Sequence, residues 1–281
     1  MIVSVAGGKG GTGKTFISTS LAVAARPARF LDCDVEEPNA HVYLAPSYRR
    51  WERVSITVPA VRAWKVRDAG KLREAAAFCR YNALAVVRES LMVFEVLCTG
   101  CGGCFRICPE GYLERKDHAV GTVKTGTARD GMDFIMGELK VGEQRTAEVI
   151  EAVREKGRGS GDTIIDCPPG SGRPALAAVR GSDFCILVTE PTPFGLHDLA
   201  ENMELLRILD IPAGVIKNRS GGAYRKVEEY CREREVPVLL DVPFTIETAR
   251  AAAEGRTLID IDPSWRGKLA DVWKAVSERA G

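Results

Sequence analysis

Gly8-Lys9-Gly10-Gly11-Thr12-Gly13-Lys14-Thr15 fits G-x-x-x-x-G-K-[ST], a spacing whose chemistry is the binding of a nucleoside triphosphate. The glycines let successive backbone N–H groups converge on phosphate oxygens, which makes Gly8, Gly10, Gly11, Thr12 and Gly13 cofactor-binding candidates. A helix beginning at Lys14 adds the positive end of its dipole. Lys14 is expected to reach the β- and γ-phosphates, and the Thr15 hydroxyl to ligate Mg²⁺. Downstream, Ile164-Ile165-Asp166 reads as a Walker B strand, running into Cys167-Pro168-Pro169-Gly170, where the Gly170 N–H is placed to sense a γ-phosphate. The guanine-reading N-K-x-D pattern is missing, so ATP is favoured over GTP.

A second run, Cys98-x2-Cys101-x2-Cys104-x3-Cys108-Pro109, has the C-x2-C-x2-C-x3-C-P spacing that holds [4Fe–4S] cubes. Thiolates this close cannot all pair as disulfides, and nine cysteines are an odd number. Metal in a reducing compartment, the cytoplasm, is the expectation. A zinc knuckle competes, although zinc sites usually use two separated pairs. Where two such runs occur together, the fourth Cys of each ligates the other cube. Counting back from Cys79 at the same spacing gives Ala75, Leu72 and Ala69, so Cys79 reads as the tail of a first run that has lost its other cysteines. One cube held by Cys79, Cys98, Cys101 and Cys104 is therefore expected, with Cys108 facing the filled positions. The alternative uses Cys108 and leaves Cys79 as a small core residue. Cys33, Cys167 and Cys185 read as packing, and Cys231, on a charged helix, as the free reactive thiol. Three histidines (His41, His118 and His197) give no His-based metal site.

The elements that must position these groups alternate. Ile2 to Ala6 reads as a strand, Lys14 to Ala25 as a helix ended by Pro27, and Arg29 to Asp32 as a second strand. From Gly161 the alternation resumes. Strands are predicted at Thr163 to Asp166, Phe184 to Thr189, Ala213 to Ile216 and Pro237 to Leu240. Helices are predicted at Pro174 to Val179, Leu196 to Leu209, Ala223 to Glu233 and Ile246 to Glu254. The fold class is α/β, a mostly parallel sheet with helices on both faces. Between Pro46 and Arg129 no βα rhythm is visible. Residues 1–45 and 130–281 are accordingly expected to form a P-loop ATPase domain, and 46–129 an inserted ferredoxin-like domain that metal helps to hold together. With 281 residues, 39 Lys+Arg and 38 Asp+Glu, the near-neutral charge gives no argument for nucleic acid or anionic membrane. There is no signal-peptide pattern and no run of about 18 apolar residues.

The second lysine of the loop, Lys9, resembles the deviant Walker A signature of the MinD and ParA ATPases and the nitrogenase iron protein. With the cysteine run, the chain is similar over nearly its whole length to MinD-superfamily ATPases that contain an inserted ferredoxin domain. Further segments carry the likeness: Asp32-Cys33-Asp34-Val35-Glu36-Glu37-Pro38-Asn39, Gly137-Glu138-Leu139-Lys140-Val141-Gly142-Glu143, and Val188 to Asp198. Members usually carry two ferredoxin runs, and this chain departs by lacking the first. The resemblance implies an ATP-sandwiched homodimer in which Lys9 reaches the partner's nucleotide. It implies that Asp34 positions the attacking water, that Asp32 supports Mg²⁺ and the loop, and that Asn218 and Pro243 flank adenine.

The leading expectation is an ATP-hydrolysing iron–sulfur protein that couples nucleotide turnover to one cube, for electron transfer or metallocofactor assembly with a redox or metalloprotein client. The alternative is a MinD-like positioning or scaffold ATPase in which the cube is structural or sensory. In that class Trp265, Leu269, Val272, Trp273 and Val276 form a stripe that either lies on lipid or docks on the body. A biosynthetic enzyme such as an amidoligase is a third class.

Overall fold

The computed structural model describes residues 1–62, 69–222 and 224–280. The first stretch builds β1 (Ile2–Gly7), α1 (Lys14–Ala25), β2 (Arg29–Asp32), α2 (Ala40–Leu44) and β3 (Ser47–Val61). Next come α3 (Ala69–Phe78), β4 (Leu84–Val87), β5 (Ser90–Val93), α4 (Cys104–Ile107) and β6 (Leu113–Thr127). They lead into β7 (Asp133–Leu139), α5 (Thr146–Lys156), β8 (Thr163–Asp166), α6 (Arg173–Val179), β9 (Phe184–Thr189) and α7 (Pro193–Ile208). The chain closes with β10 (Ala213–Ser220), α8 (Lys226–Glu233), β11 (Val238–Pro243), α9 (Ile246–Ala253), α10 (Leu258–Ile261) and α11 (Trp265–Ser277). Ala223, the expected first residue of α8, lies outside the described residues.

Nine strands form one sheet in the order β11-β10-β9-β1-β8-β2-β7-β6-β3. The pairs from β11 through β7 are parallel, as short apolar strands joined by helices require. β1, β8 and β9 are buried almost throughout, which is why their sequences are near-continuous apolar runs. Register places Asp32 opposite Asp166 on neighbouring strands. The carboxyl ends of β2 and β8 therefore deliver two carboxylates side by side.

Contacts divide the chain into two units. One comprises Met1–Glu52, Val123–Glu138 and Val149–Gly281; the other Arg53–Thr122 and Leu139–Glu148. The division differs from the expected boundaries at 45/46 and 129/130, because β3 and β6 run through it. These two 15-residue strands belong to the main sheet.

In the larger unit, α11 buries Trp265, Leu269, Val272 and Val276 in the same core as Phe16 and Leu21 of α1. The terminal stripe thus docks on the body. No helix among the described residues is long and apolar enough to cross a membrane. The smaller unit has its own core of Leu72, Ala75, Leu84, Leu91 and Tyr112, and β4 and β5 pair as an antiparallel hairpin.

Candidate functional site

The glycine loop joins β1 to α1. Gly11 and Gly13 have φ of +90° and +86°, a conformation costly for any residue with a Cβ. At Gly13 the space a Cβ would need is taken by the Asn218 amide, whereas nothing stands within 4 Å of the corresponding positions at Gly10 and Gly11. The loop is held from outside. Asn218 Nδ2 donates to the Thr12 carbonyl (2.8 Å), and the Lys9 N–H donates to Asp198 Oδ2 (3.1 Å). The Gly170 N–H donates to the carbonyls of Gly8 (2.8 Å) and Gly7 (3.2 Å).

Gly10, Gly11, Gly13, Lys14, Thr15 and Asp34 line one cavity of about 620 Å³, a volume suited to a nucleotide-sized ligand. Its far wall includes Tyr43 and Ala252, joined by the Tyr43 hydroxyl donating to the Ala252 carbonyl (2.7 Å). Arg219 also lines it, paired to Glu190 (2.8 Å). Sequence reasoning missed Tyr43 and Arg219, since nothing in their spacing marks them. Pro243 and Asn218 do not line the cavity, and neither does Lys9, whose ammonium lies over the Phe194 ring, 5.2 Å from its centre.

Below the loop, three carboxylates crowd together. Asp32 is fully buried; Oδ1 accepts from the Asp34 N–H (3.2 Å) and Oδ2 from the Ala40 N–H (3.1 Å). It braces the segment that carries Asp34. Burial, then the charges of Asp166 and Asp34, push the Asp32 carboxyl well above the carboxylate range. Burial and Asp166 raise Asp34 to about 7 against the pull of Lys14. Asp166 is raised to about 6 by burial, while the hydroxyl of Thr15 and the charge of Lys14 favour its ionised form. Neither Asp166 oxygen has a hydrogen-bond partner in good geometry, although both are sealed from solvent. The buried Thr12 hydroxyl is orphaned as well. A carboxylate in that condition is costly unless a cation compensates it. The residues therefore fit Mg²⁺.

The cysteines divide differently. Cys79, Cys98, Cys101 and Cys104 line one pocket with Phe78 and Tyr81, and Cys108 is not among its lining residues. Cys108 packs with Leu72, Ala75 and Cys104, whereas Cys79 packs against the cluster of Val58, Ala83 and Cys98 and also against the Leu72 cluster. Burial, then the neighbouring Cys108, raise the Cys104 thiol to about 11. Among the described residues no three His, Cys, Asp or Glu side chains are arranged to hold a metal ion. Cys33, Cys167 and Cys185 are core residues. Cys231 corrects the sequence expectation of a reactive thiol: it is 1% exposed, and burial lifts it to about 11, because its helix turns that face toward the sheet.

Fold and loop together define a P-loop nucleotide-binding protein. Residues 3–259 match the CbiA family, the CobQ/CobB/MinD/ParA nucleotide binding domain, and the chain belongs to this MinD/ParA superfamily of nucleotide-binding ATPases. An uncharacterised protein of Methanocaldococcus jannaschii is 30% identical over 233 residues, which span 79% of this chain and 81% of that one. The maintenance of carboxysome distribution protein A of Gloeobacter kilaueensis is 30% identical over 155 residues, 52% of this chain and 65% of that one. Among solved structures, the septum site-determining protein MinD of Pyrococcus horikoshii, complexed with Mg-ADP, superposes with a TM-score of 0.55 at 20% identity, covering 99% of this chain and 94% of that one.

Proposed function

We propose that this chain is a Mg²⁺-dependent, deviant Walker A ATPase that acts as a nucleotide-gated homodimeric switch in positioning or scaffolding. Its cysteine pocket holds one [4Fe–4S] cube in a structural or sensory role. The observation that carries the nucleotide half is Asp166, a sealed carboxylate whose oxygens have no hydrogen-bond partner in good geometry, beside Lys14 and Thr15. Mg²⁺, when bound, supplies charge neutralisation for the phosphates. Thr15 and Asp166 are placed to hold it and Lys14 to grip the β- and γ-oxygens. Asp34, raised toward neutrality and facing the cavity, orients the attacking water. Asp32 keeps Asp34 in position through its N–H. Asn218 holds the Thr12 carbonyl from outside the cavity, and the assignment of Asn218 and Pro243 to the adenine rests on the resemblance alone. The Gly170 N–H, bonded to Gly8, has to exchange that partner to sense a γ-phosphate. Lys9, parked over Phe194 rather than in its own cavity, supports action on a partner's nucleotide.

Relatives whose names state a task determine septum sites or maintain carboxysome distribution. These tasks favour a positioning switch over the expected electron delivery or cofactor assembly with a redox client, and over ligation. The cube is supported by four thiols around one pocket. A cube takes one thiolate on each iron, so its ligands need not converge on a point as those of a single ion must. Inserted ferredoxin character for 46–129 rests on the same cysteines. A cytoplasmic setting follows from these free thiols.

The test is size determination of the anaerobically prepared chain with Mg-ATP and with Mg-ADP. A dimer with ATP alone, lost in Lys14→Ala, is expected; a monomer under both conditions overturns the switch. Iron per chain is expected to fall in Cys79→Ala and to persist in Cys108→Ala, and the reverse pattern overturns the ligand set.

A further inference from the structure

We infer that Arg145, held by Glu143, is a positioning residue for the cysteine pocket: it braces the loop that delivers Cys98 and fixes a positive charge beside it. The inference rests on the reading of that pocket as an iron–sulfur site. It also gives a role to the Gly137–Glu143 segment, which the nucleotide site does not use.

β7 ends at Leu139, and a turn follows in which the Glu143 N–H donates to the Lys140 carbonyl (2.9 Å). Gly142, at φ +81°, makes the turn possible. The reversal brings Glu143 and Arg145 to the cysteine loop, all within the smaller unit. Arg145 is 6% exposed. Its Nε–H donates to the Cys98 carbonyl (2.8 Å), its Nη2 to the Glu95 carbonyl, and its Nη1 pairs with Glu143 Oε2 (2.6 Å). The Glu95 carbonyl opens the 3-10 turn Glu95–Leu97, and the Cys98 carbonyl follows it directly. Glu143 is fixed in turn by His118 Nε2 (3.0 Å), while His118 Nδ1 meets Glu95 Oε2 (3.1 Å) and Lys116 meets Glu95 Oε1 (2.6 Å). Arg145, Glu143, His118 and Glu95 thus close a ring around the turn.

A sealed guanidinium is expensive unless its donors are satisfied, and here three donors go to this loop and its anchor. Only a planar fork can span two carbonyls and a carboxylate at once, so lysine would not replace it. Just beyond, the Gly100 N–H donates to Cys98 Sγ (3.4 Å). Fixing the Cys98 carbonyl sets the peptide that leads into that donor. A hydrogen bond to a ligating sulfur and a nearby positive charge both favour the reduced, more negative cluster.

The experiment compares full-length wild type, Arg145→Gln, Arg145→Lys and Glu143→Gln, each first shown to be folded by circular dichroism. The midpoint potential of the reconstituted protein and amide exchange at residues 95–100 of iron-free protein are both measured. Arg145→Gln is expected to shift the midpoint to more negative values and to speed loop exchange about tenfold or more. Arg145→Lys is expected to recover the midpoint in part but not the exchange protection. Unchanged midpoint and exchange in Arg145→Gln overturn the inference. A wild type that takes up no iron overturns the iron–sulfur reading and the charge effect with it, whereas exchange on iron-free protein separately decides the brace.

Discussion

Asp34 and Asp166 show how environment sets the task of a carboxyl group. Both sit above the ordinary carboxylate range, at about 7 and about 6, first because burial penalises charge and then, for Asp34, because Asp166 stands nearby. A carboxyl whose folded pKa exceeds its unfolded value binds protons preferentially in the folded state. Its stabilising contribution is complete below about pH 4 and is lost as pH rises through about 6 to 7. Thermal melts without nucleotide are therefore expected to fall in midpoint across that window, and Asp34→Asn to flatten the fall. Mg²⁺ with ATP should raise the midpoint most at the upper end, where the carboxylates are ionised. In steady-state assays Asp34→Ala is expected to cut turnover about 10²-fold or more while binding of Mg-ATP persists. Of the site residues, the loop and its lysine were legible because their chemistry fixes spacing along the chain. Tyr43, Arg219 and Arg145 were not, because each acts through a partner distant in sequence, and chain spacing carries no trace of such pairs. Asn218 was singled out only through the resemblance, and its hydrogen bond to Thr12 could not be read from the strand that carries it.

Elements followed their sequences where burial was simple. β1, α1, β2, β8 and β9 were predicted nearly to the residue, because strands buried on both faces read as uninterrupted apolar runs. β3 and β6 escaped notice. Ser47–Val61 and Leu113–Thr127 are largely exposed or half-buried along their length, and arginines, lysines and glutamates interrupt any period of two. β7 overlaps a segment noticed only for its resemblance to relatives, and α5, which follows it, went unpredicted. The stripe on α11 illustrates the converse: its pattern was plain, and only the fold showed that protein rather than lipid covers it. Leu269→Ala is expected to destabilise the chain by about 2–5 kcal/mol in denaturant titrations, and sedimentation with anionic vesicles is expected to stay at background.

For the molecule as a whole, the proposal turns on the other copy that each site awaits. Lys9→Ala is expected to leave Mg-ATP affinity of the single chain within about threefold, since its ammonium lies over Phe194 and a lost surface cation–π contact is worth about 0.5–1 kcal/mol. The same variant should abolish the ATP-dependent dimer seen by light scattering. The path of β3 and β6 has its own corollary. Each crosses from one unit to the other in mid-strand, so no linker offers a clean place for shortening the chain. Deleting 53–122 would cut β3 and β6 to short stubs, leaving a frayed sheet edge whose amides and carbonyls a strand from another molecule can zip onto. Such a trimmed form is expected to precipitate rather than persist as a minimal ATPase.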